Sequence, residues 1–564
     1  MQRIVGLLVV VAATALAGCG SCGGSSTEGT EGSATTETSR EAARQSSRAG
    51  GTQGWALAQR VPSAVHWMVL LPSWSGLEQA WPVLHSRLRA LGGAVDQIEA
   101  DLRATHLLDL RDVSSLRQAG IRPGGGLVLF VTGRTEETFA MTLIDDGERF
   151  MQYIIETIPG VQHLQPQEVQ RERGATYRLL VQAEAGDEMH PDSIVGLIGY
   201  VDEVGFLVTT AYSNREAALQ MVTERGGDRL ADHPLVRRAA TDLAEYQVIG
   251  YASQELGNVL EPSAEGGGAV GGLRVAQDRI VVRSWIRPHT LGLSDLFAAQ
   301  ASSASNPNLG RLVSPGTFAL LRLTASVDAL LSLPAVRSGL AELSEATEQI
   351  EQTLGVSVER DILAHLGPAA LVTLSRMRGL AIIQALNTGR MNSWQMFEAL
   401  GAIVALEVRD REALARSLER IAAGSGDRVR LSEEGSSTLV TFTAATLFQV
   451  NLLLTDRHLL LFPDRDRAEL LQRLEGAAPD LSAAIRQEEA RSLITGLDAQ
   501  GMYIDIDRAL AEPAMQALLQ RVPEITSTLA RAFASQLYLR ITPEGEEHLR
   551  AELTAYLGAQ ENTP

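Results

Sequence analysis

The chain has 564 residues, 45% of them hydrophobic, with a formal net charge of −19 and two cysteines. The acid excess excludes a basic grip on nucleic-acid phosphates and a polybasic docking mode on anionic lipid. All 49 basic residues are arginine, which excludes a Schiff-base lysine, a phosphate-loop lysine and a Ser-Lys dyad.

The first element is a short basic start, Met1 to Arg3, followed by an apolar run from Ile4 to Ala17. Fourteen residues fall short of the roughly 20 that a helix needs to cross a bilayer, so the run reads as a secretory signal. It ends in Leu16, Ala17, Gly18 and Cys19. This L-A-G-C sequence resembles the lipobox of bacterial lipoproteins. The resemblance implies cleavage before Cys19, acylation of its sulfur and a membrane anchor, with residues 1–18 as the signal peptide. Such a thiol is not available to a redox or zinc pair with Cys22, which reads as a leftover thiol. Gly20, in place of an aspartate, favours the outer membrane if the enterobacterial sorting rule applies.

Residues 19–60 are rich in Gly, Ser, Thr, Glu, Ala and Arg. Such a segment cannot offset its folding entropy, so it reads as a disordered tether with a typical span of roughly 35 Å. No cysteine follows residue 22, so the folded part has neither disulfides nor thiolate metal sites.

An internal repeat organises the remainder. "PVLHSRLRALGGAVDQIEADL" from Pro82 and "PAVRSGLAELSEATEQIEQTL" from Pro334 share nine of 21 positions at an offset of 252. Around them the order of elements also recurs. Apolar strands "VHWMVLL" and "TFALLRL" lead to helix-capping serines, Ser75 with Glu78 as a capping box and Ser326. A second strand follows each, "GLVLFV" and "AALVTL". Asp146 and Asp410 then stand at matching strand-to-helix junctions. Hairpins turn at Asp202 and Asp456, and Tyr251 matches Tyr503. The pattern predicts two tandem modules, 61–300 and 311–558, joined by a polar seam at 298–310. Strands come in adjacent pairs with helices between the pairs, which predicts an α+β fold of mainly antiparallel sheet with flanking helices.

Chemistry is sparse. "RPGGGLVLF" reads as a tight turn before a strand and "EGGGAVGG" at 265–272 as a flexible hairpin connection. Asp505 and Asp507 alternate on a strand, as in some hard-cation sites, but without a third acid they read as a strand end that caps a helix. His548 and Glu552 lie one helical turn apart on a solvated face, and His233 before Pro234 borders a helix. Neither a G-x-S-x-G elbow nor an H-E-x-x-H motif occurs, so no catalytic residue, metal ligand or cofactor is assigned. Four of the six tryptophans, Trp55, Trp67, Trp74 and Trp81, cluster within 27 residues. They read as core or as an aromatic surface for a glycan or partner protein.

The whole layout resembles large bacterial lipoproteins of a domain-of-unknown-function type. The expected function is therefore a non-catalytic, membrane-anchored binding or structural role in the cell envelope, facing the periplasm or the cell surface. The partners implied are the membrane, through the anchor, and an envelope protein, glycan or lipid; nucleic acid is not among them. A carrier enclosing a lipid or other apolar ligand is the second reading and an envelope hydrolase the third.

Overall fold

The computed structural model describes residues 55–89, 96, 99–100, 109–132, 137–157, 161, 164–182, 190–224, 226–253, 268–286, 307–324, 352, 356–376, 397–444, 448–476, 485–495, 500–512, 516, 534–543 and 548–557. They fall into two compact units that divide between Arg287 and Pro288. Both are α+β, with large sheets whose pairings within each unit are antiparallel. Among the described residues no helix is long and apolar enough to cross a membrane.

In chain order the first unit has β1 (Val65–Leu71), α1 (Trp74–Arg89), β2 (Leu127–Thr132), β3 (Thr138–Leu143), α2 (Gly147–Thr157), β4 (Leu164–Pro166), β5 (Gln170–Glu172), β6 (Ala175–Gln182), β7 (Ile194–Val201), β8 (Val204–Ala211), α3 (Arg215–Thr223), α4 (Pro234–Asp242), β9 (Val248–Ala252), β10 (Ala269–Val275) and β11 (Arg279–Ile286). Its pairings run β11–β10–β9–β1–β2–β3–β8–β7–β6, with β4 and β5 both on the outer side of β6.

The second unit has β12 (Ala319–Thr324), β13 (Leu366–Leu374), β14 (Ala402–Val408), α5 (Arg411–Gly424), β15 (Val429–Glu434), β16 (Ser437–Ala444), β17 (Phe448–Leu454), β18 (His458–Pro463), α6 (Arg467–Glu475), α7 (Glu488–Thr495), β19 (Gln500–Asp505), α8 (Ile506–Ala511), β20 (Gln536–Pro543) and β21 (Leu549–Tyr556). Its strands run β21–β20–β19–β12–β13–β14–β18–β17–β16–β15.

Alternation along each strand sends side chains to both faces of the sheet, and both faces are covered. In the first unit Met68, Leu70, Val128 and Phe130 pack under Leu57, Ala58, α3 and α4. Val69, Leu71 and Leu129 pack on the other side under Trp74 and Trp81 of α1 and Phe150 and Met151 of α2. In the second unit Leu320, Leu371 and Tyr503 meet Leu470 of α6 and Leu493 of α7. On its other face Val440, Leu454 and Leu459 meet Leu414 and Leu418 of α5. Burying an aliphatic side chain fully contributes about 1.5–3 kcal/mol, so these four clusters supply the stability that disulfides do not.

Local signals explain several boundaries. Asp410 accepts from Ala413 N at 2.9 Å and caps α5, while Asp146 accepts from Arg149 N at 3.1 Å at the start of α2. The β7–β8 hairpin closes at Val201↔Val204 with Asp202 at φ 51°. The β17–β18 hairpin is closed by Thr455 N donating to His458 O at 2.9 Å.

Some expectations need correction. Residues 55–60 are not tether: a helical turn begins at Trp55, and Leu57 and Ala58 are fully buried. Residues 307–310, read as part of the seam, lie in the 3-10 helix Pro307–Leu312. The helix after β1 begins at Trp74 with Ser73 as its cap, its Oγ accepting from Gly76 N at 3.4 Å. Ser75 instead donates to Pro123 O, and Glu78 accepts from Val113 N, so the anticipated capping box is not made. Gly271 and Gly272 lie within β10 rather than in a hairpin connection. Leu549–Tyr556 is a strand, so His548 and Glu552 do not share a helix face. Ser326 and residues 334–351 lie outside the described residues.

Candidate functional site

The densest convergence of ligating side chains lies beyond the middle of α1. Trp81 is 1% exposed and anchors the helix to the sheet. One turn later stands His85, its ring 5.9 Å from that of Trp81 and tilted by 55°. Pro82, inside the helix, has no N–H to give the preceding turn. The chain then returns to place Asp96 and Glu99 against the imidazole.

His85 Nε2 is 3.0 Å from Asp96 Oδ1 and 2.9 Å from Glu99 Oε2. The three ligand atoms lie within 4.8 Å of one another. Arg111 approaches from the next segment, its Nε 2.6 Å from Glu99 Oε1 and its Nη2 donating to Glu99 Oε2 at 2.9 Å. The same Nη2 is 3.3 Å from His85 Nε2. Glu99 and His85 are buried, whereas the Asp96 and Arg111 side chains are 45% and 54% exposed. The cluster is therefore buried on the side of His85 and Glu99 and reaches solvent on the side of Asp96 and Arg111. Its inner carboxylate is oriented by a guanidinium fork, the strong geometry for such a pair.

A second polar group lines a cleft of about 590 Å³ beside α5, with Asp361, His365, Arg416, Ser417 and Arg420 on its walls. Arg420 donates to Asp361 at 2.8 Å and to Ser417 Oγ at 3.1 Å. The Arg420 contact, with a further bond from Ser357 N, holds the Asp361 carboxyl below the usual carboxylate range. The charges of this cleft are therefore largely engaged with one another.

The residues singled out from sequence are dispersed. Cys19 and Cys22 lie outside the described residues. Trp74 and Trp81 are buried, and Trp67 packs against the same core. Trp55 packs against the core of the opposite face. These four side chains therefore do not converge on one surface, and the burial of Trp74 and Trp81 is that of core residues.

Asp505 is fully buried and caps α8 by accepting from Arg508 N at 2.9 Å. Arg486 bridges it to Asp507, at 3.3 and 3.7 Å. His233 precedes Pro234, the first residue of α4, and its ring sits edge-on to Tyr251. "RPGGG" is a turn in which Gly125 N donates to Arg122 O at 2.9 Å. Gly126 follows, where a Cβ would stand 2.4 Å from Leu71 O.

The His85 cluster was not found in the sequence because its members are 11, 14 and 26 residues from the histidine, a spacing that no local motif marks. The repeat offers the one signal. At the offset of 252, His85, Asp96 and Glu99 align with Arg337, Glu348 and Glu351, a nitrogen-bearing side chain and two acids in both. No family model, curated protein or solved structure matches the chain.

Proposed function

We propose that the chain is a membrane-anchored cell-envelope lipoprotein with a non-catalytic binding or structural role, whose folded part is two copies of one α+β module. The anchor reading rests on Leu16 to Cys19 at the end of an apolar run of signal-peptide length. Outer-membrane attachment follows from Gly20 on the same reading.

Duplication is supported by register as well as by strand order. Met68 pairs with Tyr251 and Leu320 with Tyr503. Leu70 pairs with Ile249 and Arg322 with Gly501. All four partners are related by the offset of 252 found in the sequence. A slip of one residue would turn every side chain to the opposite face, so a shared register is a demanding match.

The observation that carries the binding or structural role over a carrier is the filling of the sheet faces. The first unit's interior is packed by its own side chains, including Phe130 stacked on Phe139 at 4.7 Å. A carrier would present such a face to its ligand.

The anchor is tested by metabolic labelling with a palmitate analogue. Wild type and Cys22→Ala are expected to label and to fractionate with membrane, whereas Cys19→Ala remains an unlabelled precursor. Normal labelling of Cys19→Ala would refute the lipoprotein reading.

A further inference from the structure

We propose that His85, Asp96 and Glu99 form a binding site for one zinc ion in the first unit, independent of the anchor and of the module duplication. The donor set is one imidazole nitrogen and two carboxylate oxygens, a combination suited to zinc as a borderline cation. Zinc bonds of about 2.0–2.2 Å in tetrahedral geometry separate ligand atoms by roughly 3.3–3.6 Å. The His85 Nε2 contacts to Asp96 and Glu99, 3.0 and 2.9 Å, need to open by only a few tenths of an ångström. The remaining pair, Asp96 and Glu99, already falls within 4.8 Å.

Two carboxylates face the imidazole nitrogen directly, and charge attraction to them favours a dication over a neutral ligand. A metal on Nε2 takes that nitrogen's lone pair, and the imidazole proton is then carried on Nδ1. Arg111 Nη2 stands 2.9 Å from Glu99 Oε2 and 3.3 Å from His85 Nε2, beside both ligand atoms, and its side chain, 54% exposed, withdraws that nitrogen as the ion enters. The half-exposed Asp96 supplies the entry path, and three protein ligands leave a fourth position for water.

At the offset of 252 the sequence has Arg337 where the first segment has His85, with Glu348 and Glu351 for the two acids. A guanidinium satisfies two carboxylates but has no lone pair to offer a metal. At these aligned sequence positions the ligating imidazole belongs to the first segment alone.

This difference defines the experiment. The full chain is stripped with a chelator, exchanged into zinc-containing buffer and freed of unbound metal, and zinc per chain is counted by elemental analysis. Cys19 and Cys22 contribute equally to all variants, so the readout is a difference. Wild type is expected to retain one zinc more than His85→Arg, whose guanidinium can pair with both carboxylates but offers no lone pair to a metal. Asp96→Asn should also lose that zinc, and excess magnesium should not displace it from wild type. Equal zinc counts in wild type and a folded His85→Arg chain would overturn the proposal. Should His85→Arg not fold, an unchanged count in Asp96→Asn would overturn it.

Discussion

The row of side chains that crosses the first sheet through Tyr251 is Trp285, Val270, Tyr251, Met68, Phe130 and Phe139. The row through Tyr503 in the second unit is Thr554, Tyr538, Tyr503, Leu320, Thr373 and Ile403. Every member of both rows is buried. Apolar bulk fills the first interior, whereas hydroxyls occupy part of the second. One strand order thus accommodates two core chemistries, provided the polar replacements find space.

The next row shows how. In the first unit Leu70 lies between Val128 and Ile249, all three fully buried. In the second, Arg322 lies between Leu371 and Gly501. Arg322 is 3% exposed and donates to Leu493 O at 2.8 Å. Loss of the isoleucine side chain at Gly501 leaves room beside the longer arginine. The glycine has a second reason: its φ is +157° and a Cβ would stand 2.0 Å from Leu539 O.

The largest effect expected from this contrast is at that pair. Gly501→Ala should cost more than about 4 kcal/mol and uncouple β19 from β20, seen as lost hydrogen-exchange protection in both strands. Ile249→Ala in the first unit removes packing without a backbone conflict, and should cost about 2–5 kcal/mol with the strand pairing retained. Equal protection in both variants would break the comparison.

Next is the aromatic bulk itself. Phe130→Ala removes half of the stack with Phe139 and should destabilise the first unit by about 3–5 kcal/mol in denaturant melts. Five of the six tryptophans, all but Trp394, belong to this unit, so tryptophan fluorescence follows it selectively.

Acid should act in the opposite sense. Phe206 in β8 is matched at the offset of 252 by His458 in β18. Burial, aided by the nearby Arg457 charge, pushes the His458 imidazole down to about 4. Its neutral form is the one that folds, so its contribution is complete above about pH 6.5 and is lost as the pH falls toward 4. That loss reaches about 3 kcal/mol. Protection in β17 and β18 should fall over this window, and His458→Phe should abolish the fall.

The smallest effect is at Thr373, whose buried Oγ1 makes no hydrogen bond among the described residues. Thr373→Val removes an unsatisfied hydroxyl at nearly constant volume and should stabilise the second unit by up to about 1 kcal/mol in urea melts. Destabilisation would mean that the hydroxyl has a partner.

Much of the fold is legible in the chain because local signals and tertiary demands agree. "VHWMVLL" is β1 residue for residue, Asp146 and Asp410 sit at helix starts, and Tyr251 and Tyr503 occupy equivalent strands. Elsewhere two local readings competed. Ser73 and Ser75 are both plausible caps, and the approach of Pro123 and Val113 decides how Ser75 and Glu78 are used. His548 and Glu552 fit a helical spacing, but pairing of β21 with β20 overrides it. The tryptophan cluster, four aromatics close in sequence, is open to two readings, core or an aromatic surface. Strand alternation and helix packing distribute them between two faces. The His85 cluster depends on the chain's return to α1, which no spacing rule encodes.

The shared register is open to direct test by paired cysteines in a chain with Cys19 and Cys22 replaced by serine. Trp67 faces Ala252 across β1 and β9, and Ala319 faces Ile504 across β12 and β19. Opposed Cα atoms in antiparallel strands lie about 4.5–5.5 Å apart, within disulfide range. Trp67→Cys with Ala252→Cys, and Ala319→Cys with Ile504→Cys, should each form an intramolecular cross-link under mild oxidation, mapped by peptide mass. Cross-linking of one pair without the other, in chains that remain folded, would contradict the account of one register used twice.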